Sequence, residues 1–311
     1  MDADPRPEAI LLCGPTASGK SDWALRLAAE WPVEIISVDS AQVYRGFDVG
    51  AAKPAPEVRA QVPHHLLDIR EPEEPYNAGE FVADALAAIR DIRARGRIPL
   101  LVGGTMMYFG AFIRGLAVLP PADLDIRRSI DLEAARLGWP ALHARLAGVD
   151  PLAAARMHVH DSQRIQRALE VYALSGKPMS DWHRATAPSH QLRLARWALV
   201  PAERRLLHAR IAARFDRMMA EGFVEEVQGL RDRLGAASQA SSLRAVGYRQ
   251  LWEHLGGQGT LDEAVQRGIA ATRQLAKRQL TWIQADPGWR RIDPFATGAE
   301  ERWTQSLREL L

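Results

Sequence analysis

The chain has 311 residues, of which 47% are hydrophobic and 25% are charged, so a largely disordered protein is excluded. We expect a cytoplasmic protein, because no apolar run approaches the roughly 20 residues that cross a bilayer and the first residues do not resemble a secretory signal. The single cysteine, Cys13, excludes an internal disulfide and a multi-cysteine zinc site, and the formal net charge of +2 permits a nucleic-acid partner without requiring one.

The first hundred residues alternate between short apolar runs and segments with helical spacing. Strands are predicted over 9–13, 33–38 and 98–102, and helices over 21–31 and 84–95. Continuous apolar strands separated by helices are typical of a buried parallel sheet. The sequence therefore predicts an α/β fold in which helices flank a parallel sheet.

The pattern changes between residues 121 and 189, where short helices are broken by proline and glycine and no strand-like run occurs. We interpret this segment as an all-helical insertion domain, with 1–120 and 190–311 forming the core and its C-terminal helices. After the insertion, the sequence predicts a strand over 194–200, amphipathic helices over about 203–221 and 262–284, and a short strand and a helix within 285–311.

The most specific motif follows the first strand and opens the first helix. It matches G-x-x-x-x-G-K-[ST] at every fixed position and consists of Gly14, Pro15, Thr16, Ala17, Ser18, Gly19, Lys20 and Ser21. In such a loop the backbone N–H groups and the helix N-terminus bind phosphate oxygens. We expect Lys20 to reach the terminal phosphates and the Ser21 hydroxyl to hold Mg²⁺.

Two other strands end in polar residues that should lie beside this loop. Asp39 follows the second strand, and Thr105 follows the third, which ends without the carboxylate that an ATPase of this class would use to hold Mg²⁺. The carboxyl ends of parallel strands meet at one edge, so we expect Asp39, Thr105 and the loop to converge. From its position alone, Asp39 is a metal-side ligand, a general base or a cap for the following turn.

Eight segments occur in a characteristic order along nearly the whole chain, from about residue 9 to 284. They are GPTASGKS (14–21), ISVDS (36–40), GAAKP (50–54), PHHLLDI (63–69), LVGGT (101–105), DSQRIQRALEV (161–171), AVGYRQ (245–250) and TRQLAKRQLTW (272–282). This order resembles that of the tRNA dimethylallyltransferases, also called tRNA isopentenyltransferases, of the bacterial type. Eukaryotic relatives carry a C-terminal zinc finger, which a chain with one cysteine cannot form.

The resemblance implies a prenyltransferase with a P-loop NTPase-like core. It implies transfer of the dimethylallyl group from dimethylallyl diphosphate to N6 of the adenosine at tRNA position 37, beside the anticodon. The products would be diphosphate and N6-dimethylallyladenosine. It further implies Mg²⁺ as cofactor, and the tRNA anticodon stem-loop and dimethylallyl diphosphate as partners. We expect no membrane partner, and we expect a monomer.

The same resemblance implies roles for individual residues. Asp39, Thr105 and Arg214 are the expected catalytic residues, with Asp39 taking the proton of the attacking amine. Arg214 and, less directly, Arg210 share a stripe of one helix and are expected to reach the diphosphate. The segments after the second and third strands, the helical insertion and the C-terminal helices are expected to contact tRNA through Asp39, Ser40, Ala41, Gln42, Thr105, Arg127, Gln163, Arg164, Ile165, Gln166, Arg167, Arg244, Gly247, Tyr248, Arg249, Lys277 and Arg278.

Two other classes of function share the P-loop core. One is a small-molecule enzyme, either a kinase or a prenyltransferase that acts on a free adenine nucleotide. Such an enzyme would need neither an insertion of about seventy residues nor arginine-bearing C-terminal helices. The other is an RNA-binding nucleotide switch without covalent chemistry, which would not need a carboxylate such as Asp39 at a strand end.

Overall fold

The computed structural model describes residues 6–310. Within this range the strands are β1 (Ala9–Cys13), β2 (Val33–Val38), β3 (His64–His65), β4 (Ile98–Gly103), β5 (Leu194–Leu199) and β6 (Arg290–Ile292). They form one six-stranded sheet in the order β3-β2-β4-β1-β5-β6, and every pairing is parallel. The predicted α/β fold with a parallel sheet is confirmed.

The helices of the described range follow the sheet strands and fill the segments between them. They are α1 (Lys20–Glu30), α2 (Pro56–Gln61), α3 (Ala78–Ala94), α4 (Met106–Arg114), α5 (Leu124–Leu137), α6 (Trp139–Val149), α7 (Pro151–Ala154), α8 (Ser162–Ser175), α9 (Met179–Arg184), α10 (Arg204–Ala220), α11 (Phe223–Leu234), α12 (Tyr248–Leu255), α13 (Leu261–Ala285) and α14 (Ala299–Arg308). A 3₁₀ helix, Ser241–Arg244, precedes α12. No helix among the described residues combines the length and apolarity needed to cross a membrane.

The chain divides into two compact units. One runs up to Phe109 and resumes at Gln191, and it contains the sheet; the other is the helical unit Gly110–His190. The helical unit has its own apolar core, in which the buried side chains of α5, α6 and α8 pack together, among them Ile130, Leu142 and Leu169.

The register of the sheet brings three strand ends to one level. Cys13 pairs with Gly103 and Val38 pairs with the same residue, so β1, β2 and β4 stop side by side. The N–H of Thr105 then donates to the carbonyl of Val38 at 3.1 Å. Glycine is required at 103 because a Cβ there would lie 2.0 Å from the Val38 carbonyl oxygen. The segments after these strands therefore emerge next to one another.

Apolar clusters anchor the helices to the sheet and to one another. α1 and α14 share a cluster with the sheet, in which the rings of Trp23 and Trp303 lie 5.4 Å apart. The apolar faces predicted for α10 and α13 are confirmed, because their members are all buried: Leu207, Ile211, Phe215, Met218, Ile269, Ala276, Leu280 and Ile283. On α10, three members of this face, Ile211, Phe215 and Met218, also line the cavity described below.

The structure departs from the predicted elements mainly where a cap rather than an apolar period defines the boundary. α3 begins at Ala78 instead of residue 84, because Asn77 and Glu80 form a capping box in which each side chain accepts the backbone N–H of the other. The helices α2, α4, α11 and α12 and the short strand β3 were not predicted. The strands predicted over 9–13, 33–38, 98–102 and 194–200 are confirmed to within one residue at each end.

Candidate active site

A cavity of about 440 Å³ opens at the level where β1, β2 and β4 end. Residues of the P-loop, of the segments after β2 and β4, and of the C-terminal helices line it together. The sequence-predicted residues that line it are Thr16, Ala17, Lys20, Ser21, Asp39, Ser40, Ala41, Gln42, Thr105, Arg214, Arg244, Tyr248 and Arg278. The expected convergence of Asp39, Thr105 and the P-loop is therefore confirmed.

The P-loop curls tightly between β1 and α1. Gly19 has φ of 93°, a left-handed value that favours glycine, and Ala17 adopts a left-handed φ of 63° despite its side chain. The Ala17 carbonyl accepts a bond from Nε of Arg210 at 3.0 Å, which holds this strained peptide in place. Arg210 thus supports the loop and does not line the cavity, contrary to its expected reach towards the diphosphate.

The cavity carries two half-buried cations, Lys20 and Arg214, that no described residue neutralises in an ion pair. Lys20 reaches back across the loop, and its Nζ donates to the carbonyl of Pro15 at 3.2 Å. Its pKa falls to about 8, chiefly because the ammonium is desolvated and then because Arg214 repels it, while Asp39 opposes the shift. Burial likewise lowers the pKa of Arg214. The site is therefore prepared for an anion.

Asp39 lines the cavity, and one oxygen of its carboxylate is bonded to the backbone while the other is not. Oδ1 accepts the N–H groups of Ala41 at 2.8 Å and Gln42 at 3.3 Å, and no described residue bonds to Oδ2. The cap and the general base, which the sequence left as alternatives, are thus compatible in one side chain. Oδ1 fixes the orientation that a base at Oδ2 would need.

Thr105 joins the ends of β2 and β4. Its hydroxyl oxygen accepts the N–H of Ser40 at 3.1 Å, and it also lies 3.4 Å from the Ser40 hydroxyl. Gln42 continues the same wall, because its side chain bonds the hydroxyl of Ser37 at 2.8 Å and the carbonyls of Ala51 and Ala52. The polar wall from Asp39 to Thr105 is therefore fixed by internal bonds.

The donors available for a metal are hard oxygens. Ser21 is exposed in the cavity, on the same lining as the Asp39 carboxylate. No cluster of three or more His, Cys, Asp or Glu side chains able to hold a metal occurs among residues 6–310. Mg²⁺ needs no such cluster, because it is usually held by one or two protein oxygens with substrate phosphates and water. The donor set fits Mg²⁺ that arrives with a diphosphate.

A carboxylate that the sequence did not reveal holds the wall formed by Gly50 and its neighbours. Glu226 on α11 accepts the backbone N–H groups of Asp48, Val49 and Gly50 at 3.1, 2.6 and 3.1 Å. It also accepts the hydroxyl proton of Tyr248 at 2.6 Å. Gly50 lines the cavity, so α11 and α12 determine where this wall stands.

Lys53 also holds the segment around Asp48, through bonds to residues before and after it. Its side chain is fully buried, and Nζ donates to the Tyr44 carbonyl at 2.8 Å and to the carboxylates of Asp48 and Asp68 at 2.7 and 2.6 Å. Arg59 pairs with the second oxygen of Asp68 at 2.7 Å. The lysine and arginine together keep the pKa of Asp68 below its usual value, against the effect of burial.

Four predicted tRNA contacts of the sheet unit require correction or lie outside the cavity lining. Tyr248 lines the cavity wall but is buried, stacks on Phe47 at 4.2 Å and donates its hydroxyl to Glu226, so it is not an exposed base-stacking ring. Gly247 is buried and its N–H donates to Gln250, so it offers no group to RNA. Arg249 and Lys277 are exposed but do not line the cavity.

The predicted tRNA contacts of the helical unit differ from one another. Ile165 is fully buried in the unit's core, so its predicted contact with tRNA is wrong. Arg127 and Arg167 both bond the buried carboxylate of Glu170, at 2.9 and 2.6 Å. The remaining three lie towards solvent: Gln163 and Arg164 are exposed, and Gln166 bonds Asp131 at 2.6 Å.

Family models match this chain over most of its length. A model described as "IPP transferase" matches residues 42–286, and one described as "Isopentenyl transferase" matches residues 7–74. A tRNA dimethylallyltransferase of Bordetella pertussis is 55% identical over 98% of this chain and 99% of that protein. The chain belongs to the tRNA dimethylallyltransferase family. A member from Xanthomonas campestris is 53% identical over 94% of this chain and 92% of its own.

Solved structures of tRNA dimethylallyltransferases have the same fold. The tRNA isopentenylpyrophosphate transferase of Bacillus halodurans superposes with a TM-score of 0.70, at 35% identity, over 98% of both chains. A eukaryotic dimethylallyltransferase acting on tRNA gives a TM-score of 0.76, at 26% identity, over 95% of this chain and 77% of its own. Members of the family transfer the dimethylallyl group to N6 of adenosine 37 in tRNA.

Proposed function

We propose that this chain transfers the dimethylallyl group of dimethylallyl diphosphate to N6 of adenosine 37, and that the cavity at the strand ends is where the transfer occurs. The observation that carries the proposal is the meeting of a phosphate-binding loop with unpaired cations and a carboxylate that has one oxygen free. A nucleotide switch without covalent chemistry would need only the phosphate-binding loop and its cations. The carboxylate serves a nucleophile that must lose a proton.

The diphosphate is the leaving group. As the allylic C–O bond breaks, negative charge grows on the diphosphate oxygens, and Lys20, Arg214 and the P-loop amides stabilise it. Mg²⁺, held by Ser21 and phosphate oxygens, would add positive charge at the same oxygens. The released allylic cation is delocalised, so stabilisation of the diphosphate is the main electrostatic requirement.

The acceptor is the exocyclic amine of adenine, which loses a proton as the new C–N bond forms. We assign that proton to Oδ2 of Asp39, because Oδ1 is held by the turn. Thr105 lies one strand away and is placed to contact the amine or the diphosphate. The target base must leave its stack to be reached, at a cost that is smallest in a single-stranded loop such as the anticodon loop.

The tRNA backbone would meet exposed cations. Arg244 and Arg278 are exposed at the cavity, and Arg164 is exposed on the helical unit. We propose that the protein acts as a monomer. Since tRNA is the substrate, we propose that it acts in the cytoplasm.

Mass spectrometry of digested tRNA tests the proposal. The purified chain is incubated with Mg²⁺, dimethylallyl diphosphate and unmodified tRNA that carries adenosine beside the anticodon. We expect N6-dimethylallyladenosine in the tRNA and one diphosphate released for each modification. Free adenosine monophosphate, offered in place of tRNA, should remain unmodified. Modification of the free nucleotide, or turnover of ATP without prenyl transfer, would contradict the proposal.

A further inference from the structure

One buried polar side chain joins the two edges of the cavity, and the transfer chemistry above does not use it. Gln279 lies on α13 and is 7% exposed. Its side-chain oxygen accepts the N–H of Thr16 in the P-loop at 2.9 Å, and its Nε2 donates to the carbonyl of Gly104 at 2.8 Å. A single carboxamide therefore connects the loop for the leaving group to the turn that precedes Thr105.

This bridge spans two segments that the hydrogen bonds of the sheet do not hold together. The sheet aligns β1 with β4 only as far as Cys13 and Gly103, and both bridged groups lie beyond that point. The carboxamide is planar, so its donor and its acceptor stand at a fixed separation. Bonds made by both ends constrain the distance between the loop and the turn. A displacement of about 1 Å between reacting groups is enough to slow a reaction about a hundredfold.

The surroundings of Gln279 are shaped for the bridge. A Cβ at Gly104 would lie 2.4 Å from Nε2 of Gln279, so only glycine lets the amide approach the backbone there. Along α13, Thr272, Leu275 and Trp282 share the cavity-lining stripe with Gln279. The family resemblance implies tRNA contacts for the neighbouring Lys277 and Arg278, whereas a glutamine inside a helix carries no distinctive signal, so no role was predicted for Gln279.

We propose that Gln279 is a positioning residue for prenyl transfer. It sets the separation between the diphosphate loop and the Asp39–Thr105 wall without touching the reacting atoms. The proposal rests on the proposed function, since the two sites it aligns are the donor and acceptor sites of that reaction. A residue of this kind affects the rate of the bound complex more than the binding of either substrate.

The first test is the division of the effect between kcat and KM. We expect Gln279→Ala to lower kcat by about 10- to 100-fold, with KM for dimethylallyl diphosphate and Kd for an anticodon stem-loop RNA within about threefold of the wild type. Ser242→Ala is the matched control, because it removes another buried bond, from the Ser242 hydroxyl to the carbonyl of Pro72 at 2.7 Å, away from the cavity lining. The control should lose comparable stability but retain kcat within about threefold.

The second test is rescue by pH. Gln279→Glu keeps an acceptor for Thr16, but it donates to the Gly104 carbonyl only when protonated. We expect its kcat, relative to the wild type at each pH, to rise as pH falls through the pKa of the introduced carboxyl. Gln279→Ala should show no such relative rise. A flat ratio for Gln279→Glu would overturn the proposal, because a general loss of packing has no proton dependence.

The third test is a double-mutant cycle. Gly104→Ala pushes a methyl group into the amide of Gln279, so alone it should lower kcat about as much as Gln279→Ala does. Combined with Gln279→Ala it should cost little more, because the bridge is already absent. Additive losses would overturn the proposal, as would wild-type kcat in Gln279→Ala. If the wild type forms no prenylated tRNA, the proposed function itself fails and this role fails with it.

Discussion

In the helical unit, Arg127 and Arg167 both bond the buried carboxylate of Glu170, whereas at the sheet edge Lys20 and Arg214 face the cavity without an ion-pair partner among the described residues. Burying an unpaired cation costs folding free energy, and burial of a paired one costs much less. The helical unit uses these arginines to build its fold. The sheet edge keeps its cations uncompensated, which is costly unless an anion binds there.

The contrast shows why a basic residue's type and spacing do not identify its role. Glu170 also accepts the N–H of Asp123, so its two arginines belong to a local scaffold. The pKa of Glu170 is lowered by these partners in spite of its burial. At the cavity, the pKa of Lys20 is lowered for the opposite reason, because desolvation and repulsion dominate. Charge pairing, not charge density, separates structural from ligand-binding cations here.

Among the cations of the cavity, removal of the P-loop ammonium should give the largest effect. We expect Lys20→Met to lower kcat/KM for dimethylallyl diphosphate by about 10²–10³-fold, since it removes a donor to the developing charge of the leaving group. Steady-state kinetics with tRNA in excess measures the loss. Lys177→Met is the control, because Lys177 lies over the Trp182 ring in the helical unit, with Nζ 4.8 Å from the ring centre. Equal losses in the two variants would contradict the distinction between cavity cations and cations of the helical unit.

Arg214 should follow with a loss of about 10²-fold. Arg214→Gln removes a guanidinium that lines the cavity, and it keeps enough of the side chain to preserve packing on α10. Arg217→Gln, one turn further along the same helix at an exposed position outside the cavity lining, provides the comparison. Single-turnover rates should separate the two variants by more than about tenfold. Similar rates would remove Arg214 from the diphosphate site.

The lowered pKa of Lys20 predicts a pH dependence of donor binding. Below pH 8 the free protein carries the ammonium; above it, binding of the diphosphate must take up a proton. Affinity should therefore weaken by up to about tenfold per pH unit above pH 8. Calorimetric titration with an unreactive analogue, in which sulfur replaces the bridging oxygen of dimethylallyl diphosphate, measures this. Lys20→Arg should lose the dependence, because arginine stays charged; an unchanged slope would assign the effect to another group.

The smallest effects are expected in the helical unit. Arg164→Gln should weaken binding of an anticodon stem-loop by about threefold to tenfold and reduce the salt slope by about one, as loss of one phosphate contact predicts. Arg127→Gln should instead lower stability in urea, because Glu170 loses two of its bonds. Filter binding across a salt series, with unfolding measured in parallel, distinguishes these outcomes. A change in stability without a change in RNA affinity for Arg164→Gln would contradict its assignment to tRNA.

The sequence predicted most of the sheet and the phosphate loop because both have local signals. The strands that meet at the cavity are continuous apolar runs, and the loop has fixed positions with a known backbone geometry. The convergence of Asp39, Thr105 and the loop also followed, since parallel strands end at one edge. The start of α3 was missed because a capping box at Asn77, rather than an apolar residue, begins the helix.

Contacts between distant segments could not be predicted in the same way. Gln279 lies more than 260 residues from Thr16, and Glu226 lies 176 residues from Gly50, so no spacing rule relates the members of either pair. The burial of Ile165 was readable from the helical period of α8, yet the resemblance placed it in a run of tRNA contacts. A motif predicts that a whole segment contacts tRNA, whereas the packed structure shows which side chains of that segment face outward.

We propose that one cavity stabilises the departing diphosphate while Asp39 takes the proton of the amine. Asp39→Asn separates these two tasks, because the amide oxygen can keep the bonds to Ala41 and Gln42 but the side chain cannot accept the proton. With both substrates bound, we predict a single-turnover rate about 10²–10⁴-fold below the wild type, with affinity for the thio analogue within about threefold. A wild-type rate in Asp39→Asn would show that Asp39 does not take the proton of the amine.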